Sequence, residues 1–323
     1  MLRSTDRGLY CEAGGFYVDP WETVELAVVT HAHWDHARPG CEAYLTAEPG
    51  EALLRERLGP EVRIQSVPYG HRFRQGAVEV SLHPAGHILG SAQVRLESRG
   101  EVWVVSGDYK RQPDPTCAPF EPLRCHTFVT EATFGLPVFR WPPQEQVFGE
   151  IHHWWRDNQQ SGRSSILFVY SLGKAQRVLA GLDPAAGPLV LHESVARYLP
   201  AYEADGLRLL PSGQTVPGPT LALAPPSAAG SAWLRGFGEA STGFVSGWMQ
   251  IRGKRRRRSV DRGFVLSDHA DWPALLATIR ETGAENVAVT NGYAAALARW
   301  LAAQGRKAWV LETRRPADSD PEA

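Results

Sequence analysis

Sulfur is scarce in this chain: 323 residues include four cysteines and two methionines. Cys11, Cys41, Cys117 and Cys125 form no Cys-x-x-Cys pair. That argues against a disulfide-stapled scaffold, which a chain of this length does not need. Cys117 and Cys125 lie near His126, but their spacing fits no standard zinc finger. Long apolar runs are missing as well. None approaches the roughly 20 residues that span a bilayer, so no membrane segment is expected. The stretch from Met1 to Pro20 has no charged region followed by an apolar one. No signal peptide is therefore expected, and the cytoplasm is the expected location. There is no internal repeat, which excludes a solenoid. Nor is there an excess of charge of either sign. A formal net charge of −1 excludes a uniformly basic nucleic-acid binder but leaves room for a basic face.

What remains is the composition of an ordinary globular protein, with 43% hydrophobic and 21% charged residues. The length suffices for one large or two medium cores. The first half reads as short strands and loops. Leu26 to Val29 is an apolar strand running into a histidine-rich loop. Ala77 to Leu82 alternates apolar and polar residues, the mark of a half-buried strand. Two further strands follow in Ser91–Ser98 and Glu101–Tyr109, and Phe128–Val129 forms a short apolar run before Glu131. Glu48 to Leu58 has a helical pattern. From about Pro137 the chain turns proline-rich and aromatic, a crossing between domains. Beyond it, Phe148–Asn158 reads as a helix. A buried strand, a glycine turn and a helix come next, the alternation of a parallel α/β unit. One basic run stands out: Arg252, Lys254, Arg255, Arg256, Arg257 and Arg258. The polar tail after Leu311 reads as frayed.

Chemistry concentrates in His31-Ala32-His33-Trp34-Asp35-His36, four metal-ligand residues within six positions directly after an apolar strand. In an extended stretch, alternate residues His31 and His33 point to one side and converge on one cation. Asp35 and His36 fall where the chain turns, within reach of a second. Imidazoles and carboxylates together suit Zn²⁺ or Mn²⁺. Three more candidates sit where strands run into loops: Asp19, His87 in Pro-Ala-Gly-His, and Asp108 in Ser-Gly-Asp-Tyr. Strand ends are the usual mount for ligands on a rigid scaffold.

An HxHxDH loop followed by a lone His and a lone Asp closely resembles the metallo-β-lactamase superfamily. The resemblance implies an αββα sandwich carrying a binuclear site, with His31, His33 and His87 on one metal and Asp35 and His36 on the other. Asp108 would bridge the two, and Asp19 would support the loop from behind. Glu131 in Thr-Glu-Ala-Thr-Phe-Gly and His269 in Ser-Asp-His-Ala-Asp match two motifs of the β-CASP nuclease branch. That branch inserts an α/β cap between them. The implied division is 1–140 and 262–323 for the metallo-β-lactamase domain and 141–261 for the cap. Ser171, Lys174 and Arg177 open a helix after a glycine turn, where free backbone N–H groups suit a phosphate. Gly-Gly-Phe-Tyr-Val-Asp-Pro, Ser-Gly-Trp-Met and Ser-Asp-His-Ala-Asp-Trp narrow the resemblance further. They point to the bacterial ligase-associated DNA exonucleases, also described as mRNA 3′-end processing factor-like proteins.

One departure stands out. The branch places a His after the strand Asn-Val-Ala-Val-Thr, and this chain has Asn291, with no His after His269. A tight first metal and a weak or absent second are therefore expected.

The implied activity is metal-dependent phosphodiester hydrolysis of DNA, an exonuclease in DNA repair, with a hydroxide held between two metals as nucleophile. His269, steered by Glu131, would act as the acid, and Lys254 to Arg258 would track the strand backbone. Association with a DNA ligase or helicase follows from the same resemblance. Three alternatives remain open: an RNase of the same fold, a binding homologue weakened at Asn291, and a small-molecule hydrolase. The large insert and the arginine run weigh against the last.

Overall fold

The computed structural model describes residues 1–209, 218–253 and 258–313. Its first six strands form one sheet in chain order: β1 (Leu2–Thr5), β2 (Gly8–Cys11), β3 (Phe16–Val18), β4 (Leu26–Val28), β5 (Ala43–Ala47) and β6 (Ile64–Val67). The early hairpins pair antiparallel and the later strands pair parallel. Helix α1 (Glu51–Leu58) follows β5 and buries Leu53 and Leu54.

The next strands are β7 (Phe73–Gln75), β8 (Val78–Pro84), β9 (Ala92–Ser98), β10 (Glu101–Val105) and β11 (Thr127–Glu131). They belong to a second sheet, which is completed from the far end of the chain.

Between the two parts lies a separate compact unit, Trp141–Asp268. It opens with α2 (Gln144–Gln160), which starts just past Pro143 and so extends the expected helix at both ends. Its sheet contains β12 (Ser164–Phe168), β13 (Leu189–Leu191), β14 (Leu221–Ala224), β15 (Ala240–Val245) and β16 (Arg262–Phe264), ordered β13-β14-β12-β15-β16 and parallel throughout. Every residue of β12 and β14 is buried, as a parallel sheet covered on both faces requires. The core joins Ile151, Trp154 and Trp155 of α2 to Leu167, Leu223 and Val245, and to Val178 and Leu179 of α3 (Lys174–Gly181). Because β16 pairs with β15 in this sheet, the unit runs through Asp268 and does not stop at 261.

The chain returns to the first unit at His269. There it adds α7 (Trp272–Glu281), β17 (Asn286–Thr290), α8 (Ala294–Ala303) and β18 (Lys307–Val310), preceded in the inserted unit by the short helices α4 (Glu193–Ala196), α5 (Leu199–Ala204) and α6 (Ala232–Arg235). The second sheet then reads β18-β17-β11-β10-β9-β8-β7. Its period-two alternation sorts side chains between two cores. Val105, Val129 and Ala288 face Val18, Val28 and Leu45 of the first sheet. Val104, Phe128, Val287 and Val289 face Leu275, Ile279, Leu297 and Leu301 of α7 and α8. Helix, sheet, sheet and helix are thus stacked as an αββα sandwich. No helix among the described residues is long and apolar enough to cross a membrane.

Candidate metal centre

The HxHxDH segment leaves β4 through Thr30 and turns at once. The His33 carbonyl accepts from the backbone N–H groups of His36 and Ala37, at 3.1 and 2.9 Å. The start of this turn is fixed from behind by Asp19. Its Oδ1 accepts from Thr30 N at 2.8 Å, and its Oδ2 accepts from Thr30 Oγ1 at 2.7 Å and lies 2.6 Å from His36 Nδ1. Asp19 reaches this position with φ at 44°, a left-handed conformation that Asp tolerates better than most residues. With Nδ1 engaged, His36 turns Nε2 toward Asp108, 3.1 Å from Oδ2. A hydrogen-bonded second nitrogen is the usual way to orient a ligating imidazole.

The other donors arrive from two strand ends. His87 follows β8, in a loop that Ser91 Oγ holds by accepting from His87 N and Ile88 N. Asp108 follows β10. Gly107 just before it has φ at 58°, and a Cβ there would meet the Thr30 side chain at 2.7–3.0 Å, so this close approach needs glycine. His31 Nε2 and His87 Nε2 each lie 3.1 Å from His33 Nδ1. Asp108 Oδ2 stands 3.6 Å from His31 Nε2. His31, His33, His87 and Asp108 each bring one ligand atom within 4.8 Å of all the others. Asp35 Oδ2 lies 3.9 Å from His36 Nε2.

Protonation follows the packing. Burial, reinforced by His36, His33 and His87, holds the His31 pKa well below the ordinary imidazole value. Burial pushes Asp108 up, but His36, His269 and His31 outweigh it and hold the carboxyl well below the usual range. Neutral imidazole and ionised carboxylate are the forms that bind a cation. Three imidazoles and a carboxylate converging in a cluster that is buried except at half-buried His33 fit a divalent metal in the zinc or manganese class.

A second group adjoins the first. Asp108, Glu131 and His269 also bring ligand atoms within 4.8 Å of one another, so Asp108 is common to both. His269 Nδ1 faces the Glu131 carboxylate at 2.9 and 3.0 Å. Glu131 Oε1 also accepts from Tyr109 N at 2.8 Å. The His269 ring lies 4.7 Å from that of His87. Asn291, where the resemblance led one to expect His, sits after β17 with φ at 57°, and its Oδ1 accepts from Thr313 Oγ1 at 3.1 Å. It lines a cavity of about 60 Å³ together with His36, Asp108 and Asp19.

The expected nucleic-acid contacts fare differently. Lys174 and Arg177 are each 1% exposed. Lys174 Nζ pairs with Asp268 Oδ2 at 3.0 Å. Arg177 donates to the Ser267 carbonyl at 2.5 Å, to Asp268 Oδ1 at 3.3 Å and to Gln144 Oε1 at 3.1 Å. The helix start turns these two cations inward, where the sequence suggested an open phosphate-facing pair. Ser171 offers its carbonyl to Gln176 Nε2. Lys254, Arg255, Arg256 and Arg257 lie outside the described residues. Arg258 places its guanidinium 4.6 Å from the centre of the Phe244 ring.

Sequence reasoning missed Thr30, whose hydroxyl touches Asp19, His31 and His36. Its signal was a hydroxyl-bearing residue directly ahead of the ligand loop. It also missed Asp268, one position before His269.

No family model matches the chain. A protein named "Probable DNA ligase" from Opitutus terrae is 32% identical over 94% of this chain and 30% of its own length. The endoribonuclease YSH1 of Yarrowia lipolytica is 29% identical over 50% of this chain and 23% of its own. A ribonuclease of Thermus thermophilus is 27% identical over 51% and 44%. The chain thus spans less than half the length of these curated relatives. Among solved structures, a protein of unknown function from Enterococcus faecalis superposes with a TM-score of 0.55 at 10% identity. The superposition covers 82% of this chain and 74% of that one and is a likeness of fold alone.

Proposed function

From the premise that this chain belongs to the β-CASP branch of the metallo-β-lactamase superfamily, we propose that it is a metal-dependent phosphodiesterase that cuts DNA. The carrying observation is the pair of abutting clusters: four convergent metal-ligand side chains, and beside them the Glu131–His269 pair. His31, His33 and His87 would hold a first metal. Asp35 and His36 would hold a second, weaker one, with Asp108 between them and the neutral Asn291 amide in place of an imidazole. A divalent cation at such a centre neutralises a phosphate and makes water acidic enough to ionise near neutral pH.

The chain's own residues do the rest. Asp19 and Thr30 lock the His36 tautomer, so that Nε2 faces the centre. Glu131, fixed by the Tyr109 N–H, takes His269 Nδ1 and so leaves Nε2 to deliver a proton to the departing oxygen. A positioned acid of this kind contributes about 10²–10⁴-fold.

DNA is favoured because a relative that matches 94% of the chain bears a ligase name, and a ligase is the partner this assignment suggests. An exonuclease in DNA repair is the form of the activity we favour. RNA is the second reading, favoured by the endoribonuclease and ribonuclease names of the partial relatives. The run from Arg252 to Arg258 would follow the strand backbone without reading sequence.

The test is hydrolysis of end-labelled single-stranded DNA and RNA of one sequence with Mn²⁺ or Zn²⁺, by the unaltered chain and by Asn291→His. Progressive shortening of DNA is the expected result. Preference for RNA would hand the case to the second reading. Silence from both proteins on both polymers would remove the nuclease assignment.

A further inference from the structure

We propose that Trp34 is a stacking platform for the nucleobase beside the scissile phosphate, which makes the favoured substrate a strand whose base there is unpaired. Trp34 is 56% exposed, the most exposed large hydrophobic side chain among the described residues. Trp154, Trp155, Trp248 and Trp272 are all at least nine-tenths buried.

The exposure does not come from a loose loop. Ala32 and Ala37 on either side are 3% and 1% exposed. The His33 carbonyl closes the turn through His36 N and Ala37 N, and Asp19 ties down Thr30 and His36. Trp34 is the outward corner of a clamped turn.

Its position in the chain gives the exposure a meaning. Trp34 stands between His33 and Asp35, so its Cα is about 3.8 Å from the Cα of each. His33 Nδ1 lies 3.1 Å from ring nitrogens of both His31 and His87. A phosphate bound at a metal held by those nitrogens would place its flanking bases beside the turn that carries the indole. Stacking uses the π-face that every base has, so it tolerates any sequence but requires the base to be out of a duplex. The role presupposes the nuclease reading and names the substrate class for that same centre.

The experiment uses the full chain loaded with Mn²⁺. It compares end-labelled single-stranded oligodeoxynucleotides that are intact or carry one abasic residue, placed in turn at each of the terminal positions. The unaltered protein should lose about 5- to 150-fold in kcat/KM at one abasic position, the range that stacking of one base spans. Trp34→Ala should lose a similar factor on the intact strand, mainly through KM, and show no further loss on the abasic one. Trp34→Phe should keep most of the discrimination, and metal content measured by mass spectrometry should be unchanged in both variants. An undiminished abasic penalty in Trp34→Ala would overturn the assignment. So would a fall in kcat and metal content in both variants with KM unmoved, which marks a packing role. If the unaltered protein cleaves no oligonucleotide at all, the nuclease reading fails and the stacking role with it.

Discussion

Replacing Asp268 by Asn should destabilise the inserted unit by about 3–5 kcal/mol, the range for removing one partner of a buried ion pair. Asp268 is 3% exposed, and Lys174 and Arg177 are each 1% exposed. The substitution takes away the carboxylate that meets Lys174 Nζ at 3.0 Å and Arg177 at 3.3 Å and leaves both cations buried. Desolvating an ammonium and a guanidinium is the dominant cost, and the amide returns little of it. With a urea slope of about 2 kcal/mol/M, the midpoint of the inserted unit's transition should fall by roughly 1.5–2.5 M. Tryptophan fluorescence is a suitable probe, because Trp154 and Trp155 sit in that unit's core. A double-mutant cycle pairing Asp268→Asn with Arg177→Met should give a coupling of about 0.5–3 kcal/mol.

The competing view is that Lys174 and Arg177 are substrate contacts. A phosphate contact behaves differently when removed: affinity falls across all sequences, the logarithmic salt slope drops by about one, and folding stability hardly changes. Lys174→Met and Arg177→Met should instead lower the urea midpoint and leave the salt slope of DNA binding intact. An unchanged midpoint for Asp268→Asn, joined to a salt slope that drops by about one for each cation removed, would refute the ion-pair reasoning.

Asp19→Asn should weaken metal binding about 10- to 100-fold, the usual effect of altering the partner of a ligating imidazole. Calorimetric titration of the stripped protein with Zn²⁺ would register this. His269→Ala should lower turnover on DNA about 10²–10⁴-fold, yet lose far less on bis-p-nitrophenyl phosphate, whose leaving group departs without protonation; equal losses on both would exclude His269 as the acid. Burial pushes the Cys125 thiol up to about 12, so iodoacetamide at pH 8 should label it only after denaturation, with half-buried Cys117 reacting first. Because the folded value is the higher one, the stability linked to Cys125 is full below about pH 8.5 and falls as pH rises toward the folded value. A denaturation midpoint that did not decline between pH 8 and 10 would contradict this.

What the sequence made legible was whatever local spacing encodes. Six ligand-type residues met in one cluster or beside it because each stood at a strand end, and strand ends could be read from apolar runs such as Leu26–Val29 and from the alternation at Ala77–Leu82. What was not legible depended on direction. A glycine turn followed by Lys174 and Arg177 has the same composition whether the side chains face solvent or a carboxylate. Only the fold brings Asp268, 91 positions from Arg177, to meet them. The end of the inserted unit was misplaced for a similar reason: Arg262–Phe264 is a strand in either unit by pattern, and its pairing with β15 settles which. The motif Ser-Asp-His-Ala-Asp was read as one functional word, yet its residues divide their tasks. Asp268 binds two buried cations, His269 faces Glu131, and Asp271 accepts from Ala274 N to cap the start of α7. That division gives the motif a physical basis. In the proposed role of acid, His269 needs its ring and the chain on either side of it held: the ring by Glu131, the chain at Asp268 by Lys174 and Arg177, and at Asp271, two positions on, by Ala274 N. Loss of any one should then loosen His269 without changing its chemistry.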